Sequence, residues 1–92
     1  MTEIELAKYI DQTNLSPGMT EAFIEEFCKE AAERHFASVC ILPTLVKTAA
    51  KSLEGSDTKV CTVISFPLGM DVPSVKCEAT KEAIEHGAQE ID

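Results

Sequence analysis

Tryptophan is absent from this 92-residue chain, and aromatic side chains make up only 5% of it. With so few large rings, Ala, Val, Ile and Leu must build the core, and a chain this short buries a smaller share of its surface than a full-size domain. Basic clusters are missing too. Eight Lys and Arg are scattered among sixteen Asp and Glu, for a net charge of −8. Binders of nucleic acid or of anionic membranes displace counterions with grouped Lys and Arg, so neither partner is expected, and the acids read as solvated helix faces. No apolar run approaches membrane-spanning length, and Met1-Thr-Glu-Ile-Glu-Leu6 lacks the basic and apolar regions of a secretory leader. The expectation is a soluble, cytoplasmic protein of one domain at most.

Cysteine is present but unpatterned. Cys28, Cys40, Cys61 and Cys77 include no C-x-x-C pair, and each sits within an apolar-periodic segment. Buried free thiols acting as small hydrophobes are therefore expected, rather than disulfides or a zinc site. G-x-G-x-x-G and G-x-x-x-x-G-K-[ST] are also missing, which weakens a dinucleotide-binding reading and excludes a P-loop.

What is present is a rhythm. Ile4, Leu6, Ala7 and Ile10 fall at helical spacing over Glu3–Ile10, a helix expected to end near Asp11-Gln12-Thr13-Asn14. After the breaker Ser16-Pro17-Gly18, Thr20 can cap a second helix whose buried face is Phe23, Ile24, Phe27, Cys28 and Ala31. His35 and His86 read as helix-terminal residues rather than ligands. Phe36–Leu42 is a short apolar run stopped by Pro43, and Leu45–Leu53 traces a helix ending at Gly55. Lys59–Phe66 is a second strand closed by Pro67-Leu68-Gly69. Pro73 opens a helix that runs to His86 with Gly87 just past its end, and residues 89–92 start a third strand. The divisions expected are N-terminal helices over 3–34, βα units over 36–55 and 59–87, and a strand start over 89–92.

Strands alternating with helices imply a parallel sheet. The near-continuous apolar strands imply that both faces are covered, as in a barrel or a doubly wound sheet. Prolines follow both strands, opening loops where barrel enzymes place their chemistry. Superposing Val39-Cys40, Val60-Cys61 and Ile91-Asp92 puts a carboxylate where the earlier units carry thiols. A carboxylate inside a barrel is costly unless paired, and its usual justification is a lysine partner or catalysis. The plainer alternative is that Asp92 is simply exposed at the end of the chain.

The stretches Tyr9-Ile-Asp-Gln-Thr-Asn-Leu-Ser-Pro17, Phe36-Ala-Ser-Val-Cys-Ile-Leu-Pro43, Val60-Cys-Thr-Val-Ile-Ser-Phe-Pro-Leu-Gly69, Glu78-Ala-Thr-Lys-Glu-Ala83 and Gly87-Ala-Gln-Glu-Ile-Asp92 resemble deoxyribose-phosphate aldolase. The likeness runs from Leu6 to Asp92. Gln12 departs from it, since many bacterial members carry His there, at a position that is not catalytic. The resemblance implies the N-terminal portion of a (β/α)8 barrel, cut at the start of its third strand. It implies a class I aldolase that needs no metal or other cofactor and cleaves 2-deoxy-D-ribose 5-phosphate, a phosphosugar, to acetaldehyde and D-glyceraldehyde 3-phosphate. Asp92 matches the family's proton-relay aspartate, and Asp11 a supporting active-site acid.

By the same resemblance the Schiff-base lysine and its lysine neighbour belong to later strands. None of Lys8, Lys29, Lys47, Lys51, Lys59, Lys76 and Lys81 matches either, so these 92 residues alone are expected to be inactive. Two alternatives stand beside the enzyme reading: a non-catalytic partial barrel that forms homo-oligomers through open sheet edges, and a phosphosugar-binding module without aldol chemistry.

Overall fold

The computed structural model describes all 92 residues. Four parallel strands form one sheet in the order β1-β2-β3-β4. They are β1 (Asp11–Asn14), β2 (Ser38–Ile41), β3 (Lys59–Thr62) and β4 (Glu90–Ile91). Helix α1 (Glu3–Ala7) precedes β1, α2 (Glu21–Glu33) joins β1 to β2, α3 (Val46–Ser52) joins β2 to β3, and α4 (Pro73–Glu85) joins β3 to β4. A 3-10 turn, Pro43–Leu45, leads into α3.

The expected all-helical segment 3–34 is thus corrected: it contains a strand, and the strand starting near residue 89 is the fourth. Asp11-Gln-Thr-Asn14 carries no apolar or β-branched residue except Thr13, and Asp and Asn are poor strand formers. Its strand state comes from the partner. Asp11 to Asn14 pair one-to-one with Ser38 to Ile41, and the Ala37 amide donates to the Ile10 carbonyl at 2.9 Å just before the ladder starts. The first helix is correspondingly short. Thr2 caps it by accepting from the Glu5 amide at 3.2 Å, and it ends at Ala7 rather than Ile10.

Helix α2 forms where its cap and spacing place it. The Thr20 hydroxyl accepts from the Phe23 amide at 3.1 Å, and Ile24, Cys28 and Ala31 are fully buried. Phe23 departs from expectation: it is about half exposed and lies against Phe27 with ring centroids 5.9 Å apart. At its C-terminal end His35 takes a left-handed conformation (φ 58°), so the Phe36 amide reaches the Ala31 carbonyl at 3.1 Å. The buried Thr58 hydroxyl donates to the Phe36 carbonyl at 2.8 Å, tying this turn to the start of β3.

The strands alternate between two environments. Val39, Ile41 and Val60 face the helices and pack with Ile24, Cys28, Ala31, Leu45, Val46, Ala49 and Leu53 in the main core. Cys40, Cys61 and Val63 face the other way and form a small cluster with Leu15 and Leu42. Strand β3 is shorter than the run Lys59–Phe66, because Ser65 turns into a left-handed conformation (φ 57°) and starts a loop. Helix α4 is the least embedded of the long helices, with Ala83 as its one buried residue.

Gly87 closes α4 as the residue just past His86. Its φ is +116°, and a Cβ there would stand 2.6 Å from the Ala50 Cβ. Both the backbone angle and the contact require glycine. Gly87→Ala is therefore expected to destabilise the fold by about 2 kcal/mol or more, read as a lower urea midpoint at unchanged slope.

Candidate active site

The side of the sheet turned away from the helices carries the polar groups. Register fixes which residues share it. Asp11, Ser38 and Lys59 are opposite one another at the start of the strands, and Thr13, Cys40, Cys61 and Glu90 follow one pleat later. The Asp92 amide donates to the Thr62 carbonyl at 2.8 Å, and the Ile64 amide donates to the Asp92 carbonyl at 3.0 Å. These two bonds bracket Val63, so Asp92 stands opposite Val63, at the C-terminal ends of the strands.

Superposing Asp92 on Cys40 and Cys61 is thus off by two residues, because Glu90 is the partner of Cys61. Side chains alternate with a period of two, so the shift leaves Asp92 on the same face. Burial raises the pKa of the Cys40 thiol, and the charges of Asp92 and Asp11 add to that rise. The two carboxylates are not brought together: β2 and β3 separate their strands, roughly 14 Å at ordinary strand spacing.

Asp11 is held in place. The Ser38 hydroxyl, which has no solvent exposure, donates to Asp11 Oδ1 at 2.8 Å. Thr13 donates its hydroxyl to the Asp11 carbonyl oxygen at 2.9 Å. Sequence reasoning passed over Ser38 as one residue of an apolar run. The signal was available in its spacing, two residues before Cys40 and hence on the same face. Gln12, the departure from the family pattern, points to the opposite face, where its buried Oε1 has no hydrogen-bond partner.

Three of the four cysteines follow expectation. Cys28, Cys40 and Cys61 are buried and free, whereas Cys77 is exposed on α4, which corrects its reading as a buried residue. Burial pushes the Cys28 thiol up from 9.0 to about 11. Burial, then the Cys40 neighbour and the charges of Glu90 and Asp11, push Cys61 up to about 12. Thiolate is the reactive form, so one thiol per chain, Cys77, is expected to react quickly with an aromatic disulfide reagent at neutral pH, and the other three only on unfolding. The same shifts set a pH dependence. Above pH 9 the unfolded chain releases thiol protons that the folded chain still holds, so stability is intact below about 9 and falls as pH rises towards 12. Alkaline urea titrations should show that decline, and Cys61→Ala should lessen it.

The remaining lysines fit no pair. Lys59, at the start of β3, is level with Asp11 on the inner side, but it is exposed and forms no salt bridge. The strand-end loops gather at the opposite end of the sheet, where Ser65 donates to Asp71 Oδ2 at 2.9 Å and the Gly69 amide donates to the Ser65 carbonyl at 2.6 Å.

No family model matches the chain. Curated relatives do. A deoxyribose-phosphate aldolase of Streptococcus gordonii is 58% identical over 89 residues, spanning 97% of this chain and 40% of that protein. One from Clostridium perfringens is 56% identical over all 92 residues, or 41% of its length. Among solved structures, the deoxyribose phosphate aldolase of Aeropyrum pernix, described as tetrameric, superposes with a TM-score of 0.90 at 33% identity, covering 99% of this chain and 39% of that one. A protein described as an aldolase gives a TM-score of 0.88 at 43% identity, covering 97% of this chain and 39% of that one. The chain spans about two fifths of the length of the relatives it matches. In sequence and in fold, these 92 residues correspond to the N-terminal part of the barrel of the deoxyribose-phosphate aldolase family.

Proposed function

We propose that these residues supply the acid side of a class I aldolase site that later strands of the barrel complete. The observation that carries this reading is the place of Asp92: level with Val63, where β3 gives way to its loop, on the side away from the helices and at the end of the sheet where barrel enzymes do their chemistry. The substrate is 2-deoxy-D-ribose 5-phosphate. A lysine from a later strand attacks its carbonyl carbon and, with loss of water, forms a Schiff base. The cationic nitrogen then accepts the electron pair of the breaking carbon–carbon bond. Asp92 moves protons to and from the reacting oxygen and carbon, and Asp11 holds the local charge and hydrogen-bond pattern. No metal or other cofactor takes part, and the setting is cytoplasmic.

The test is borohydride reduction of a complete barrel that carries these 92 residues, in the presence of substrate. A stoichiometric adduct on a lysine beyond residue 92 supports the reading, and its absence from a folded barrel counts against it.

A second reading applies to the 92-residue chain by itself. Strands β1 and β4 each have one neighbour, leaving two open edges, and Leu68 and Met70 are 79% and 80% exposed. Open edges template pairing with another chain, and closed two-fold association would cover them. Sedimentation at low micromolar concentration is expected to show a dimer or larger species; a cooperatively unfolding monomer overturns this.

A further inference from the structure

Strand β1 is held by its neighbour rather than by side chains of its own, and one of the links between the two lies on the inner side of the sheet. Ser38 opens β2 directly opposite Asp11. Its side chain is completely buried, and its hydroxyl donates to Asp11 Oδ1 at 2.8 Å. A buried hydroxyl needs a partner, and a carboxylate acceptor makes the bond stronger than a neutral one. The bond fixes one carboxylate oxygen and leaves the other, Oδ2, with no protein donor among the side-chain hydrogen bonds. Asp11 otherwise lies on an exposed edge strand of four polar residues, where a free carboxylate rotates about χ1 and χ2.

We infer that Ser38 is a positioning residue for the reaction: it sets the rotamer of Asp11 so that the unbonded oxygen and its charge are aimed into the interior that Asp92 enters from β4. The inference rests on the reading of Asp11 as an active-site acid. It adds a residue on a different strand and assigns its role to a single bond. Cys40, one pleat further along β2 on the same side, lies in the part of the sheet between the strand that carries Asp11 and the strand that carries Asp92.

The experiment uses a complete barrel carrying residues 1–92, with Ser38→Ala, Ser38→Cys, Asp11→Asn and the Ser38→Ala/Asp11→Asn pair. Thermal midpoints establish that each variant is folded before kinetics are compared. Ser38→Cys fills the space of the hydroxyl with a much weaker donor, so it separates the bond from the packing. Both Ser38 variants are expected to lower kcat/KM by about tenfold, the scale of one hydrogen bond to a charged group. The loss falls mainly in kcat, and Ser38→Ala adds nothing further once Asp11→Asn is in place, because positioning acts only through the carboxylate. An equal loss from Ser38→Ala in the Asp11→Asn background overturns the proposal, as does parental activity in Ser38→Cys. Parental activity in Asp11→Asn is a separate failure: it removes the reading of Asp11 on which the proposal stands, and the proposal with it.

Discussion

Replacing Asp92 with Asn in a complete barrel that carries this sequence is expected to lower turnover about a hundredfold or more while leaving the fold intact. The amide is nearly the size and shape of the carboxylate, so packing is unchanged. What it cannot do is take up and return a proton near neutral pH, and a positioned general acid–base group contributes typically ~10²- to 10⁴-fold. Structural damage is not expected, because the bonds of the Asp92 amide and carbonyl to β3 are backbone bonds that Asn retains. Steady-state kinetics together with a thermal midpoint check the prediction. Near-parental turnover would mean that the acid facing the interior from β4 is not part of the chemistry.

The isolated 92-residue chain, by contrast, is expected to form no Schiff base at all. Borohydride reduction with the aldehyde and phosphosugar substrates, followed by intact-mass measurement, should return the mass of the unmodified chain. Lys8, Lys29, Lys47, Lys51, Lys59 and Lys81 are exposed and Lys76 is half-buried. A catalytic amine needs a desolvated pocket or a second cation beside it to act as a nucleophile. No lysine is held in a salt bridge: the contacts with acids are made by Arg34, His35 and His86. A stoichiometric adduct on any of these seven would require a nucleophile site that the sheet does not present.

The legible parts of this fold were those where apolar residues recur at a fixed period. Helix α2, with its Thr20 cap, and β2, with Val39, Cys40 and Ile41 in a row, are visible in the sequence because burial selects those residues at those spacings. So is the end of α4, where Gly87 takes an angle that side chains disfavour. Strand β1 was not legible from periodicity, since Asp11-Gln12-Thr13-Asn14 has no apolar alternation, and its extended state is imposed by the ladder with β2. The length of β3 was overread because Val63, Ile64 and Phe66 continue the apolar run, whereas the strand ends at Thr62 and Ser65 turns the chain into the loop.

The candidate site divides in the same way. Asp92 and Asp11 were found through the family pattern, and their common face follows from the pleat. The offset of two residues between Asp92 and the thiols was hidden, because the hydrogen-bond register of β4 depends on where the loop after α4 delivers Gln89, whose amide donates to the Val60 carbonyl at 2.8 Å. Ser38 was hidden for another reason. A serine inside an apolar strand looks like a small filler until its partner across the ladder is known, and that partner lies on the strand that periodicity did not show.

Whether residues 1–92 work as the N-terminal part of an aldolase barrel is tested most directly in a chimera. It joins them to the C-terminal remainder of the Streptococcus gordonii relative, 58% identical over the shared part, and cleavage of 2-deoxy-D-ribose 5-phosphate is followed. The predicted result is turnover within about tenfold of the intact relative, since the main-core contacts and both acids are retained. A chimera that folds cooperatively yet cleaves no faster than the buffer background would contradict that role.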